Sequence, residues 1–236
     1  MRRRSLTELA NNPDLIPGVY NYCDRWCERC PLTSRCLVYA TEQQPDDDSP
    51  ESQDIRNESF WKRLGAVFQE TREMIDVWAK QAGVDFIEPI DQDEPRHRRK
   101  RQLVDNHPLT RSGKKYANAA CDWFRQFDGA IELDTEEARE VIQWYQYQIA
   151  VKTIRALSGR REELEEDSEL PKDSDGSAKV ALIGIDRSIA GWRLMQLSLP
   201  QRADSIVPLI LQLETLRVSL ERSFPDARDF IRPGFD

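Results

Sequence analysis

From residue 58 onward, apolar side chains recur at every third or fourth position, the spacing that lines one face of an α-helix. Phe60, Leu64, Val67, Phe68, Ile75 and Trp78 form the first stripe, with Asn57 or Ser59 placed to cap its start and Gly83 to end it. A second stripe opens at Pro108, a residue suited to a first helical turn. It runs through Leu109, Tyr116, Ala120, Trp123, Phe124 and Phe127 towards Gly129. A third begins at Asp134, with Glu137 in a capping-box position, and carries Val141, Ile142, Tyr145, Ile149, Ala156 and Leu157 to a stop at Gly159. A fourth covers Ser177–Leu197. A fifth starts from an Asp204 or Ser205 cap and carries Ile206, Leu209, Ile210, Leu213, Leu216 and Leu220 to Phe224 and Pro225. Two-residue alternation is nearly absent, and Val84–Ile87 is too short to seed a sheet. The expected class is all-α: an N-terminal cysteine-rich module, then an up-and-down bundle of about five helices.

Composition and charge divide the chain further. Residues 1–40 hold four of the five cysteines, and 41–57 form an acidic stretch with Pro45 and Pro50 and little to bury, which predicts a flexible linker. Residues 58–236 are expected to be the bundle, interrupted by an acidic loop at 159–176. The net charge of −8 is concentrated: 41–58 carry −6 and 159–175 carry −5, so the rest is close to neutral. No apolar run reaches the roughly 20 residues a membrane span needs. The start, Met1-Arg2-Arg3-Arg4-Ser5, is followed by polar residues and not by the apolar stretch of a secretory signal, so a cytoplasmic location is expected.

The sharpest chemistry lies in Cys23, Cys27, Cys30 and Cys36, spaced C-x3-C-x2-C-x5-C. Four thiols so close in sequence can converge on one centre, and both zinc and iron–sulfur clusters favour soft sulfur ligands. Charged residues interleaved among them argue against an inert buried turn. Structural zinc sites commonly use two separated C-x2-4-C knuckles, whereas here all four sulfurs fall in one run with Pro31 after the third, which favours the larger iron–sulfur object. Zinc remains the alternative.

Residues Cys27–Ala40, read as C-x2-C-P-L-x3-C-L-x-Y-A, resemble the loop of the WhiB-like actinobacterial regulators, which hold a [4Fe–4S] cluster. The C-x2-C-P-L-x3-C portion also resembles the cluster loop of the MutY and endonuclease III glycosylases. The match carries Cys27, Cys30 and Cys36, and Cys23 is assigned as fourth ligand by its proximity. What the resemblance implies is the cofactor type.

Other features are weighed against plainer readings. Lys152 shares a helical face with Tyr145, Ile149 and Ala156, and Asp186 neighbours Leu182, Ile183, Ile189 and Ala190. A charge on an apolar stripe is costly unless it snorkels or is paired, so the two are either edge positions or an ion pair lining a polar pocket. Ala181, Gly184, Ser188 and Gly191 make a small-residue ridge that predicts close helix packing. The basic run Arg96–Arg101 reads as a solvated connection, Cys121 as a buried small apolar residue, and Phe230, Ile231 and Phe235 as signs of a docked tail.

The leading expectation is a cytoplasmic iron–sulfur protein in a redox-sensing, electron-transfer or regulatory binding role. The pattern leaves room for a protein partner, with no membrane and no nucleic acid expected. An enzyme with a pocket at Lys152 and Asp186 and a zinc-stabilised interaction protein are the rivals; the sequence shows no catalytic constellation that would place an enzyme first.

Overall fold

The computed structural model describes residues 6–43, 54–82, 95–127, 135–165 and 173–236. Among the described residues there are eight α-helices and no strand. They are α1 (Leu6–Ala10), α2 (Leu37–Glu42), α3 (Glu58–Ala82), α4 (Pro95–Asp105), α5 (Pro108–Phe127), α6 (Glu136–Glu165), α7 (Asp173–Ser198) and α8 (Ala203–Ser223). The all-α class holds, and the expected count of five is too low. α1 and α2 are too short to show a stripe, and α4 forms in the basic run that reads from sequence as a connection. No helix among the described residues is long and apolar enough to cross a membrane.

Two compact units divide the chain. One holds the described residues of 1–20 and 27–91, and the other those of 21–26 and 92–236. In the first, α1 packs against α2 and α3, so α3 belongs with the cysteine-bearing residues and not with the bundle to which its stripe assigned it. Asn57 caps α3, its Oδ1 accepting the Ser59 N–H at 3.0 Å. The α3 stripe is only partly covered: Phe60, Leu64 and Val67 are half-buried, whereas Phe68 is 64% exposed. Most of the expected acidic linker falls on 44–53, and Gly83 and Val84–Ile87 on 83–94; both lie outside the described residues.

The second unit is an up-and-down bundle of α5, α6, α7 and α8, with α4 packed on α5 and α6. Its core is built from the predicted stripes: Tyr116, Ile142, Tyr145, Ile149, Leu182, Ile185, Leu213, Leu216 and Leu220 are all essentially inaccessible. At one end Trp192 stacks on Phe124 (5.4 Å) and meets Trp123 edge-on (5.1 Å). Both indole N–H groups find acceptors, Trp192 donating to the Tyr116 hydroxyl at 3.0 Å and Trp123 to Ser205 Oγ at 2.9 Å. Ser205, expected as a cap, is used to hold Trp123, and α8 starts without a side-chain cap. α6 runs past Gly159 to Glu165 and α7 begins at Asp173, so helix takes up much of the expected 159–176 loop. Gly159 lies inside the continuing helix, facing Ser174, where a Cβ would make ordinary contact at 3.4 Å from the Ser174 nitrogen.

The small-residue ridge does what its spacing predicts. α6 and α7 form the most extensive contact in the bundle. A Cβ on Gly184 would stand 2.9 Å from Tyr145 Cδ1, and one on Gly191 3.0 Å from Ile142 Cγ1. The docked tail is also present. Lys179 donates to the Phe230 carbonyl at 2.6 Å and pairs with Asp236 at 2.7 Å, which Arg232 also holds at 2.9 Å. Phe224 and Ala227 are buried, whereas Ile231 is 74% exposed and takes no part in the docking.

Two glycine substitutions separate packing from propensity. Gly184→Ala is expected to cost about 1–3 kcal/mol, because Tyr145 and Ile149 must shift to admit the methyl. Gly65→Ala in α3, with open space around it, is expected to stabilise its helix by about 0.5–1 kcal/mol. Denaturant unfolding followed by circular dichroism measures both; equal signs would show that the ridge is not a packing device.

Candidate metal centre

Three of the four cysteines lie in the first unit: Cys27 opens one single-turn 3-10 helix, Cys30 lies between it and a second, and Cys36 follows the second. Cys27 opens the turn Cys27–Arg29, and the Cys30 N–H closes it on the Cys27 carbonyl at 3.2 Å. Pro31 follows, and the Leu32 N–H donates to Cys30 Sγ at 3.4 Å. The second turn, Thr33–Arg35, delivers Cys36 to the start of α2. The loop is braced from outside: Ile16 N–H donates to the Arg35 carbonyl at 2.9 Å, and Arg35 Nε to the Asp14 carbonyl at 3.3 Å.

Cys23 belongs to the second unit, on the short segment Asn21–Trp26. That segment is seated on α6 and α7 by a dense set of contacts. Trp144 Nε1 donates to the Asp24 carbonyl at 2.9 Å, and the Gln148 amide donates to the same oxygen. The Asp24 carboxylate accepts from Arg187 Nη1 at 2.9 Å and from the Tyr145 hydroxyl, which itself accepts from Arg187. Trp26 lies flat on Trp144, ring centroids 4.9 Å apart, and its backbone N–H donates to Asp24 Oδ1 at 3.2 Å. Tyr22 packs on Phe230 over Gly176, where a Cβ would approach Tyr22 to 2.3 Å. Between Asp24 and Trp26, Arg25 takes a φ of 58°, rare for a residue with a side chain and sustained here by its anchored neighbours.

This seat places Cys23 near two cations, Arg25 and Lys152, and one anion, Asp24. Burial pushes the Cys23 thiol up, while the Arg25 and Lys152 charges pull it back towards the thiolate. Lys152 is 8% exposed and donates from Nζ to the Asn21 carbonyl at 3.2 Å. Burial, first, and then the Arg155 charge lower its pKa. Tyr145 is held above the ordinary phenol range by burial and then by the Asp24 carboxylate it donates to.

The proposed Lys152–Asp186 pair does not form. Asp186 is held instead by Arg217 on α8 at 3.4 Å and by Arg228 in the tail at 2.6 Å, and Arg228 also grips Glu221 at 2.7 Å. The reason is helical geometry, since consecutive residues point about 100° apart. Asp186 faces α8, and it is the next residue, Arg187, that turns to the α6 side. Sequence reasoning missed Asp24, Tyr145 and Arg187 as a set. The one local signal was Trp144, Gln148 and Lys152 at i, i+4 and i+8, a polar-tipped ridge beside the apolar stripe.

All five cysteines are free of disulfides and half-buried, a donor set whose chemistry suits a thiolate-ligated centre. Among the described residues, no three His, Cys, Asp or Glu side chains stand close enough together to hold a metal ion as they are placed. The chain matches no family model, no curated protein and no solved structure.

The seat is testable by double-mutant cycles in urea. Asp24→Ala is expected to destabilise the bundle by about 1–3 kcal/mol, and to couple to Tyr145→Phe by more than about 0.5 kcal/mol. Lys152→Met and Asp186→Leu, having separate partners, should add within about 0.5 kcal/mol; strong coupling between them would restore the pair.

Proposed function

We propose that Cys23, Cys27, Cys30 and Cys36 together ligate one metal centre, a [4Fe–4S] cluster, in a cytoplasmic protein with a redox-sensing, electron-transfer or regulatory binding role. The observation that carries this reading is four thiols within fourteen residues, half-buried and none in a disulfide. The loop spacing supports iron–sulfur over zinc, and the Leu32 N–H directed at Cys30 sulfur is the kind of hydrogen bond that tunes cluster thiolates. When bound, the cluster supplies one-electron exchange. The chain's own part is to hold Cys23 beside Lys152 and Arg25, and to fix that segment through Asp24.

An enzymatic pocket built on Lys152 and Asp186 has lost its footing, because the two residues serve different partners. A binding or regulatory role with a protein partner ranks above catalysis. Zinc is the alternative occupant of the same four sulfurs.

Purification without oxygen, followed by metal and sulfide analysis, decides the matter. Brown protein holding iron and acid-labile sulfide in equal amounts is expected; colourless protein with one zinc would replace the cluster by the alternative. Serine at any one of Cys23, Cys27, Cys30 or Cys36 should abolish or cripple loading, and Cys121→Ser should leave it intact. Full metal content in Cys23→Ser would place the fourth ligand elsewhere.

A further inference from the structure

α8 carries two stripes. Leu209, Leu213, Leu216 and Leu220 are buried in the bundle, and the far side of the helix is exposed from end to end. On that exposed side Asp204, Pro208, Leu211, Thr215, Val218 and Arg222 follow one another at alternating steps of four and three residues. Alternation of four and three is the heptad seam along which one helix packs on another. Leu211 at its centre is 56% exposed and Val218 42%. The ends are charged, with Asp204 in the first turn and Arg222 in the last. The polar groups of the middle already have partners. Thr215 Oγ1 donates to the Leu211 carbonyl at 2.8 Å, and Ser219 beside the seam donates to the Thr215 carbonyl at 2.8 Å. Glu214, also beside it, is paired with Arg193 at 2.8 Å. Single apolar residues on a surface need no explanation, but this is a continuous seam whose covering would strand neither hydroxyl.

We propose that this face joins two copies of the chain, α8 packing antiparallel on its counterpart about a two-fold axis. A two-fold interface must be complementary to itself, and the seam is. With the axis centred between Leu211 and Thr215, Leu211 meets Thr215 of the partner subunit, Pro208 meets Val218 of the partner subunit, and Asp204 meets Arg222 of the partner subunit. Each layer occurs twice. A parallel pair would set like charge against like at both ends, and any other centring along the seam separates Asp204 from Arg222. At 1.5 Å per residue the seam from 204 to 222 is about 27 Å long. Two helices of that length cover less than the roughly 800 Å² per partner of a standard interface. The dimer is therefore weak and reversible, with a Kd roughly in the micromolar range. The face lies wholly on the second unit, so the pairing stands or falls independently of the metal centre.

Sedimentation equilibrium of the full-length protein, in reducing buffer at one fixed metal loading, measures the pairing. The unaltered chain is expected to pass from monomer to dimer as its concentration rises across roughly 1–100 μM. Leu211→Glu, at an exposed position, should stay monomeric with an unchanged thermal midpoint. Asp204→Arg and Arg222→Asp should each weaken the dimer about tenfold, because two layers turn from attraction to repulsion. Combined in one chain they restore opposite charges in every end layer, and the dimer should return to its original strength. Each change also removes a charge that suits its end of the helix dipole, so a purely structural effect would be worst in the combined variant. A chain that stays monomeric throughout would overturn the proposal and leave the face to a different protein. A dimer unmoved by Leu211→Glu would overturn it by placing the contact on another surface. Loss without recovery in the combined charge variant would overturn the antiparallel register.

Discussion

Asp24 follows Cys23 on the segment Asn21–Trp26, and both its carbonyl and its carboxylate are held. Its carbonyl takes two donors from α6, and its carboxylate takes the Tyr145 hydroxyl and the Arg187 guanidinium. Much of the second unit is arranged so that this can happen. Tyr145 reaches Asp24 only because Gly184 leaves its ring room to pass between α6 and α7. Trp144 must present its N–H outward while its face receives Trp26. Arg187 is half exposed, so solvent screens its pairing and the ion pair by itself is worth little. The strength lies in the shared carboxylate, where charge-assisted donors converge on an acceptor that is 23% exposed.

The bundle was largely legible in the chain because its stripes are long and its core residues are the ones the period selects. Leu209, Leu213, Leu216 and Leu220 fall where a helix must bury them, and they are buried. The seat for Cys23 was not legible, for two physical reasons. Asp24 meets partners 121 and 163 residues further along, a pairing that no local period encodes. On α7 the useful charge was one position away from the one that drew attention, and one position is a quarter-turn of the helix. The basic run from Arg96 failed differently. Its charge density reads as loop, but Pro95 is well placed to open a helix, and α4 packs on α5 and α6. For α3 the stripe was right and the destination wrong, since amphipathicity shows that a face exists and not what covers it.

The proposed function rests on the cysteines, because sulfur chemistry narrows the choice of ligand far more than helix geometry does. Their surroundings add what spacing cannot. Cys23 lies near Arg25, Lys152 and Asp24, and Cys30 accepts a backbone N–H, so the sulfurs of the run are not equivalent. The electrostatic setting of Cys23 is fixed by the bundle, and the proposed centre would meet unequal sulfurs.

The order of synthesis gives that seat a temporal meaning. Cys23 leaves the ribosome well before Tyr145 and Arg187 exist, and before Phe230, which packs on Tyr22. At roughly 5–20 residues per second, the wait from residue 23 to residue 187 is about 8–33 s. The donors to Asp24 arrive in order, Trp144, Tyr145 and Gln148 of α6 first and Arg187 of α7 last, so its seat is complete only once α7 is made. The surroundings that hold Cys23 in the finished fold are therefore absent for most of the time the chain is being made.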